Sequence, residues 1–116
     1  MREPEARQAR VEVLFDGDVQ GVGFRYYVKR VAGRFKLVGF VENLEDGRVR
    51  VVSEGGEDVL QGFIQALRQA PPPMRVEGVQ ARYSEPTGEF KSFRIVTDDL
   101  AKEMVEGFST WASTSR

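Results

Sequence analysis

Gly17, Gly21, Gly23 and Arg25 stand close together near the start of the sequence. Glycines so spaced let successive backbone N–H groups turn inward without steric penalty, which builds a cradle for an anion. Where a helix starts directly after them, its first N–H groups are unpaired and its dipole is positive, so a phosphate suits the place. Arg25 then falls in the first helical turn, where its planar fork can clamp two phosphate oxygens. The same glycines also serve a plain tight strand-to-helix turn, with Arg25 as one more solvated cation. The loop is not a nucleotide P-loop, because no Gly-Lys-Ser/Thr follows, and it lacks the full glycine spacing of the dinucleotide fingerprint.

Neither cysteine nor histidine occurs in the chain. Disulfides, thiol nucleophiles, serine–histidine triads and nearly all zinc or haem sites are thereby excluded. Any chemistry rests on arginine, lysine, carboxylates, amides, hydroxyls and the backbone. With a formal charge of −1 over 116 residues, no global field draws the protein to nucleic acid or an anionic membrane, so an anion site has to be built locally. That length suits one compact domain, and 41% apolar with 30% charged residues is the composition of a soluble globular protein. Residues 1–10 hold no apolar run of the kind a secretory signal or membrane span needs. They read as a flexible leader in a cytoplasmic protein.

The elements that must position these residues follow from periodicity. Residues 11–16 alternate, with Val11, Val13 and Phe15 on one side, and Gly17 ends the strand. Phe24, Tyr27, Val28, Val31, Ala32 and Phe35 recur at the spacing of one helix face, with Arg25, Lys29 and Arg30 elsewhere. Residues 37–43 form a strand at least partly covered on both faces, since its apolar residues occupy both parities. An Asp46-Gly47 turn joins it to a strand over 48–53 in a hairpin. Gly55-Gly56 breaks the chain, and Glu57 and Asp58 open a second helix whose stripe is Val59, Leu60, Phe63, Ile64 and Leu67, stopped by Pro71-Pro72-Pro73. Two extended segments, 75–85 and 90–96, flank Pro86-Thr87-Gly88-Glu89, a second hairpin signal with Gly88 available for a left-handed turn. The order βαββαββ calls for an α+β two-layer sandwich with both helices on one face of the sheet. After Thr97 the sequence changes in kind: Asp98 and Asp99 can start a helix, with Leu100, Met104 and Phe108 at i+4 spacing and Trp111 beyond. The expected organisation is a leader over 1–10, a domain over 11–97 and a C-terminal helical extension over 98–116. The extension docks on its own domain, or else serves a partner or a dimer contact in place of the monomer.

Gly17-Asp18-Val19-Gln20-Gly21-Val22-Gly23-Phe24-Arg25 resembles the G-x-V-Q-G-V-x-F-R signature of the acylphosphatase family. Leu37-Val38-Gly39-Phe40-Val41-Glu42-Asn43 resembles that family's second block, L-x-G-x-V-x-N, and Asp46-Gly47-Arg48-Val49 follows as in the family. The resemblance extends from Val11 to about Val96. It implies a ferredoxin-like sandwich, a βαββαβ core plus an extra strand in a mainly antiparallel sheet, that hydrolyses the carboxyl–phosphate bond of acyl phosphates without metal or cofactor. Residue by residue, it implies that Arg25 is the phosphate-binding catalytic arginine and that Asn43 orients the attacking water. The backbone amides of Gln20, Gly21, Val22, Gly23 and Phe24 complete the cradle, and phosphate or sulfate would bind as product or analogue. Without the family match, Asn43 reads as a residue flanking the hairpin turn.

The implied chemistry is consistent with this chain. In a βαβ unit the carboxyl ends of the two strands lie at one sheet edge, so the loop and Asn43 can converge. The leaving carboxylate has a conjugate acid of pKa about 4, so no general acid is needed. An amide cradle and one arginine can stabilise the phosphoryl oxygens. Two residues depart from the family's pattern: Asp18, beside the cradle, and Glu42. Each opposes anion binding unless it points away or pairs with Arg25, Lys29 or Arg48. Phe40, where the family often carries Trp, is a milder change of apolar bulk. The main alternative is a non-catalytic phosphate-binding regulatory or interaction module on the same fold. The family domain is also found at the start of carbamoyl-transferring hydrogenase maturation proteins, whose zinc-binding and transferase regions this sequence lacks. An RNA-recognition module is disfavoured because residues 48–53 carry no aromatic platform.

Overall fold

The computed structural model describes residues 7–97. The elements are β1 (Gln8–Asp18), α1 (Phe24–Arg34), β2 (Val38–Asn43), β3 (Val49–Gly56), α2 (Glu57–Arg68), β4 (Arg75–Ser84) and β5 (Phe93–Val96). The strands form one sheet in the order β4-β1-β3-β2-β5, in which every pairing is antiparallel except that of β2 with β5. This is the expected ferredoxin-like two-layer sandwich, with the extra strand added beside β2. The expected C-terminal helical extension over 98–116 lies outside the described residues.

One face of the sheet carries the core. Val11, Val13 and Phe15 of β1 alternate inward, as do Val49 and Val51 of β3, and Val41 joins them from β2. Against them pack Phe24, Val28, Val31 and Ala32 of α1 and Leu60, Phe63, Ile64 and Leu67 of α2, which are the stripes expected from the 3.6-residue period. Glu57 and Asp58 occupy the first turn of α2, where the helix dipole favours them.

Three expectations are corrected. First, β1 starts at Gln8, inside the segment read as leader, and β3 runs on to Gly56 instead of breaking at Gly55-Gly56. The two extensions have one cause: Gln8 pairs with Gly56 and Ala9 with Gly55, and Ala9 is buried in the core. Second, β1 does not end at Gly17. Gly17 and Asp18 pair with Val76 and Arg75 across a bulge. At that bulge Gly17 has φ +123°, and a Cβ there would lie 2.3 Å from the Arg75 carbonyl oxygen. Third, the segment 86–89 is not a hairpin turn, although Gly88 does adopt a positive φ of 75°. β4 pairs with β1 and β5 with β2, so the two lie at opposite edges of the sheet.

The chain between β4 and β5 therefore crosses the face of the sheet that the helices leave open. Buried Glu54 of β3 accepts hydrogen bonds there from the Thr87 N–H (2.9 Å), the Gly88 N–H (2.9 Å) and the Thr87 hydroxyl (3.0 Å). Arg10 of β1 donates to Glu54 (2.9 Å) and Glu89 (2.7 Å) and lies over the Phe90 ring. Phe90 in turn meets Phe40 edge-on with centroids 5.9 Å apart. β5 accordingly starts at Phe93 rather than at Phe90, and Phe40 is covered although it faces away from the helices.

Candidate active site

β1, β2 and β5 run in the same direction, so their C-terminal ends share one edge of the sheet. Phe15, Val49 and Asn43 lie in one cross-strand row, which sets Asn43 two strands, or about 10 Å, from β1. The chain leaves β1 at Asp18 and enters α1 at Phe24, so the loop and the N-terminus of α1 lie at this same edge.

Two buried apolar side chains hold the loop. Val19 is buried at its start, and Phe24 at its end meets Phe15 of β1 edge-on at 5.3 Å. Between them Gly21 (φ +76°) and Gly23 (φ +85°) take the left-handed conformation, with no atom close enough to hinder them. Gly23 is the N-cap of α1 and has no side chain with which to satisfy the helix's first N–H groups. Among the described residues, no main-chain carbonyl accepts a hydrogen bond from the N–H groups of residues 20–25. The expected stretch of amides, Gln20, Gly21, Val22, Gly23 and Phe24, is therefore a run of uncommitted donors at a helix N-terminus.

Arg25 is half-buried in the first turn, and its Nη1 donates to the Val96 carbonyl at the end of β5 (2.9 Å). That bond orients the guanidinium, and among the described residues most of its five N–H donors have no acceptor. Asn43 closes β2, and its Oδ1 is a buried acceptor without a partner among the described residues. An acceptor left in that state costs about 1–3 kcal/mol, which a donor from a bound molecule would offset.

The two carboxylates flagged as departures are both matched by cations other than those expected. Glu42 points to the open face, where it accepts a hydrogen bond from Arg50 (2.9 Å), which also binds Glu12 (2.6 Å). Asp18 is exposed and lies 3.4 Å from Arg75, its neighbour across the β1–β4 ladder. The cross-strand register sets these pairs, so residue types alone did not reveal them.

Sequence reasoning also missed what the side chain of Gln20 does. Its Nε2 donates to the carbonyls of Leu44 (2.8 Å) and Arg48 (2.9 Å), tying the loop to the hairpin that carries Asn43. The sole hint in the sequence was an amide side chain placed between apolar residues of a glycine-rich loop.

Among the described residues, loop amides without acceptors, an arginine and an amide oxygen without a donor thus meet at one edge of a ferredoxin-like α+β sandwich, an arrangement that suits an anion. The acylphosphatase family model matches residues 11–95. An acylphosphatase of Deinococcus radiodurans is 48% identical over 79 residues, covering 68% of this chain and 91% of the relative. The crystal structure of acylphosphatase from Bacillus subtilis superposes with a TM-score of 0.73 at 38% identity, over 77% of this chain and 99% of that one. A Coxiella burnetii acylphosphatase structure gives 0.70 at 31% identity, over 76% and 92% of the two chains. The chain belongs to the acylphosphatase family, and it is a hydrolase of acyl phosphates.

Proposed function

We propose that hydrolysis proceeds by in-line attack of a water held by Asn43 on a phosphoryl group bound by Arg25 and the amides of Gln20, Gly21, Val22, Gly23 and Phe24. The water oxygen forms a bond to phosphorus as the bond from phosphorus to the acyl oxygen breaks. The carboxylate leaves with that electron pair, and a phosphate oxygen takes the water's proton. Because the leaving group is the anion of a weak acid with pKa about 4, it departs without protonation. The work left to the protein is to position the reactants and stabilise the phosphoryl oxygens.

The observation that carries this reading is the meeting, at one sheet edge, of main-chain donors and one buried acceptor that have no partner among the described residues. The donors suit phosphate oxygens, and the amide oxygen of Asn43 suits the proton of a water. A carboxylate in place of Asn43 would repel the phosphate. We infer a cytoplasmic, monomeric enzyme on small acyl phosphates, and the near-neutral charge fits such substrates rather than nucleic acid.

The test is hydrolysis of a synthetic acyl phosphate by wild type, Arg25→Ala and Asn43→Ala, with inorganic phosphate as competitive inhibitor. Removing an anion-stabilising group costs on the order of 10²–10³ in rate. Asn43→Ala should lose activity on that scale with phosphate inhibition retained, whereas Arg25→Ala should lose phosphate inhibition as well. Full activity in Asn43→Ala would refute the role given to that side chain. A wild type that binds phosphate but releases none from the substrate would instead favour a non-catalytic binding module.

A further inference from the structure

We propose that Gln20 is a positioning residue, whose side chain sets the distance between the phosphate cradle and the water-holding Asn43. The inference rests on the mechanism just given. Both N–H bonds of its amide are committed to the hairpin turn that follows Asn43, one to the Leu44 carbonyl and one to the Arg48 carbonyl. Those two carbonyls also close the turn itself: Leu44 N–H donates to Arg48 (2.8 Å) and Gly47 N–H to Leu44 (3.2 Å). Each oxygen thus takes one bond from the hairpin and one from the loop. Gln20, half-buried, belongs to the cradle by its backbone and to the hairpin by its side chain.

The ladder sets Asn43 in its row with Val49 and Phe15, and buried Val19 and Phe24 hold the two ends of the loop; Gln20 adds a direct tie from the loop to the hairpin turn. The cradle follows β1 and Asn43 closes β2, and these strands do not pair with each other because β3 runs between them. Loop and hairpin turn both project beyond the paired residues of β1, β2 and β3. The Gln20 amide spans that gap. A displacement of about 1 Å between nucleophile and phosphorus is enough to cost on the order of 100-fold in rate.

Gln20→Met preserves length and bulk and removes both donors. Its kcat for a synthetic acyl phosphate should fall about 10- to 100-fold, while the inhibition constant for inorganic phosphate moves less than about threefold, since Arg25 and the loop amides remain. In an Asn43→Ala background the same substitution should cost less than about threefold more, because the residue through which it acts is gone. Hydrogen exchange at the Leu44 and Gly47 amides should quicken without change along the β1–β3 ladder. Should Gln20→Met fail to fold, Gln20→Asn, one methylene too short to reach both carbonyls, takes its place in the same measurements. A kcat within threefold of wild type, an equal loss in kcat and phosphate affinity, or losses that multiply with those of Asn43→Ala would each overturn the proposal. Unchanged exchange at Leu44 and Gly47 would refute the clamp itself, whatever the mechanism. Full activity in Asn43→Ala with faster exchange in Gln20→Met would instead overturn the water-holding role, and the positioning role with it.

Discussion

At the scale of single residues, the site is defined by which polar groups the fold satisfies and which it leaves open. Glu42, Arg50 and Glu12 satisfy one another on the far face of the sheet, so Glu42 projects away from the helix-covered face. Asp18 is on the near edge, but it is exposed, lies beside Arg75, and stands in water that screens a charge beyond about 8 Å at physiological salt. An exposed pair of this kind contributes at most about 1 kcal/mol. Asp18→Asn should therefore change kcat/KM by less than about threefold at 0.15 M salt, measured on the same acyl phosphate. A gain of tenfold or more would show that this carboxylate acts directly on the bound anion.

At the scale of elements, the bulge in β1 lets the strand pass into the loop. Gly17 has φ +123°, and its missing Cβ leaves room for the backbone of β4: a methyl group would sit 2.3 Å from the Arg75 carbonyl oxygen and 2.9 Å from the Glu77 nitrogen. Neither atom is the free end of a side chain, so the strands would have to part. Gly17→Ala should cost about 3 kcal/mol or more, seen as a drop in Tm on the order of 15 °C for a domain of this size. Gly55 makes a useful contrast, because a Cβ there meets only the end of the Leu37 side chain, so Gly55→Ala can be relieved by rotation of that leucine. A Gly17→Ala protein as stable as wild type would refute this account of the bulge.

At the scale of the whole molecule, Glu54 joins the two edges of the sheet by anchoring the segment that crosses between β4 and β5. Burial alone would raise its pKa, but the N–H groups of Thr87 and Gly88 and the Arg10 guanidinium outweigh burial and hold it below the ordinary 4.5. Glu12 is lowered in the same way: burial opposes ionisation, and Arg50 and Arg82 prevail. A carboxyl whose folded pKa lies below its unfolded one adds stability above the unfolded value and loses it as the pH falls through the folded value. Thermal stability should thus be level above about pH 5 and decline below pH 4.5. Glu54→Gln should cost about 2 kcal/mol at neutral pH, because the new NH₂ group faces donors. It should also make the decline in acid shallower. An acid limb identical to that of wild type would show that Glu54 does not link stability to pH.

What the sequence determined by itself was local. Alternation in β1, the 3.6-residue stripes of α1 and α2, the Asp46-Gly47 turn and the glycine-rich loop were legible because each depends on neighbours in the chain. Motif resemblance further marked Arg25, Asn43 and the loop amides. Apart from the β2–β3 hairpin, which the Asp46-Gly47 turn marks, tertiary structure decided which strands pair and in what register, since backbone hydrogen bonds are blind to residue type. For that reason the segment at Thr87 and Gly88 looked like a hairpin turn and is a crossing held by Glu54. Gly55-Gly56 looked like a break and is paired with Ala9 and Gln8. The same reason accounts for Gln20: its two acceptors are main-chain carbonyls, which every residue carries, and only folding brings those of Leu44 and Arg48 within its reach.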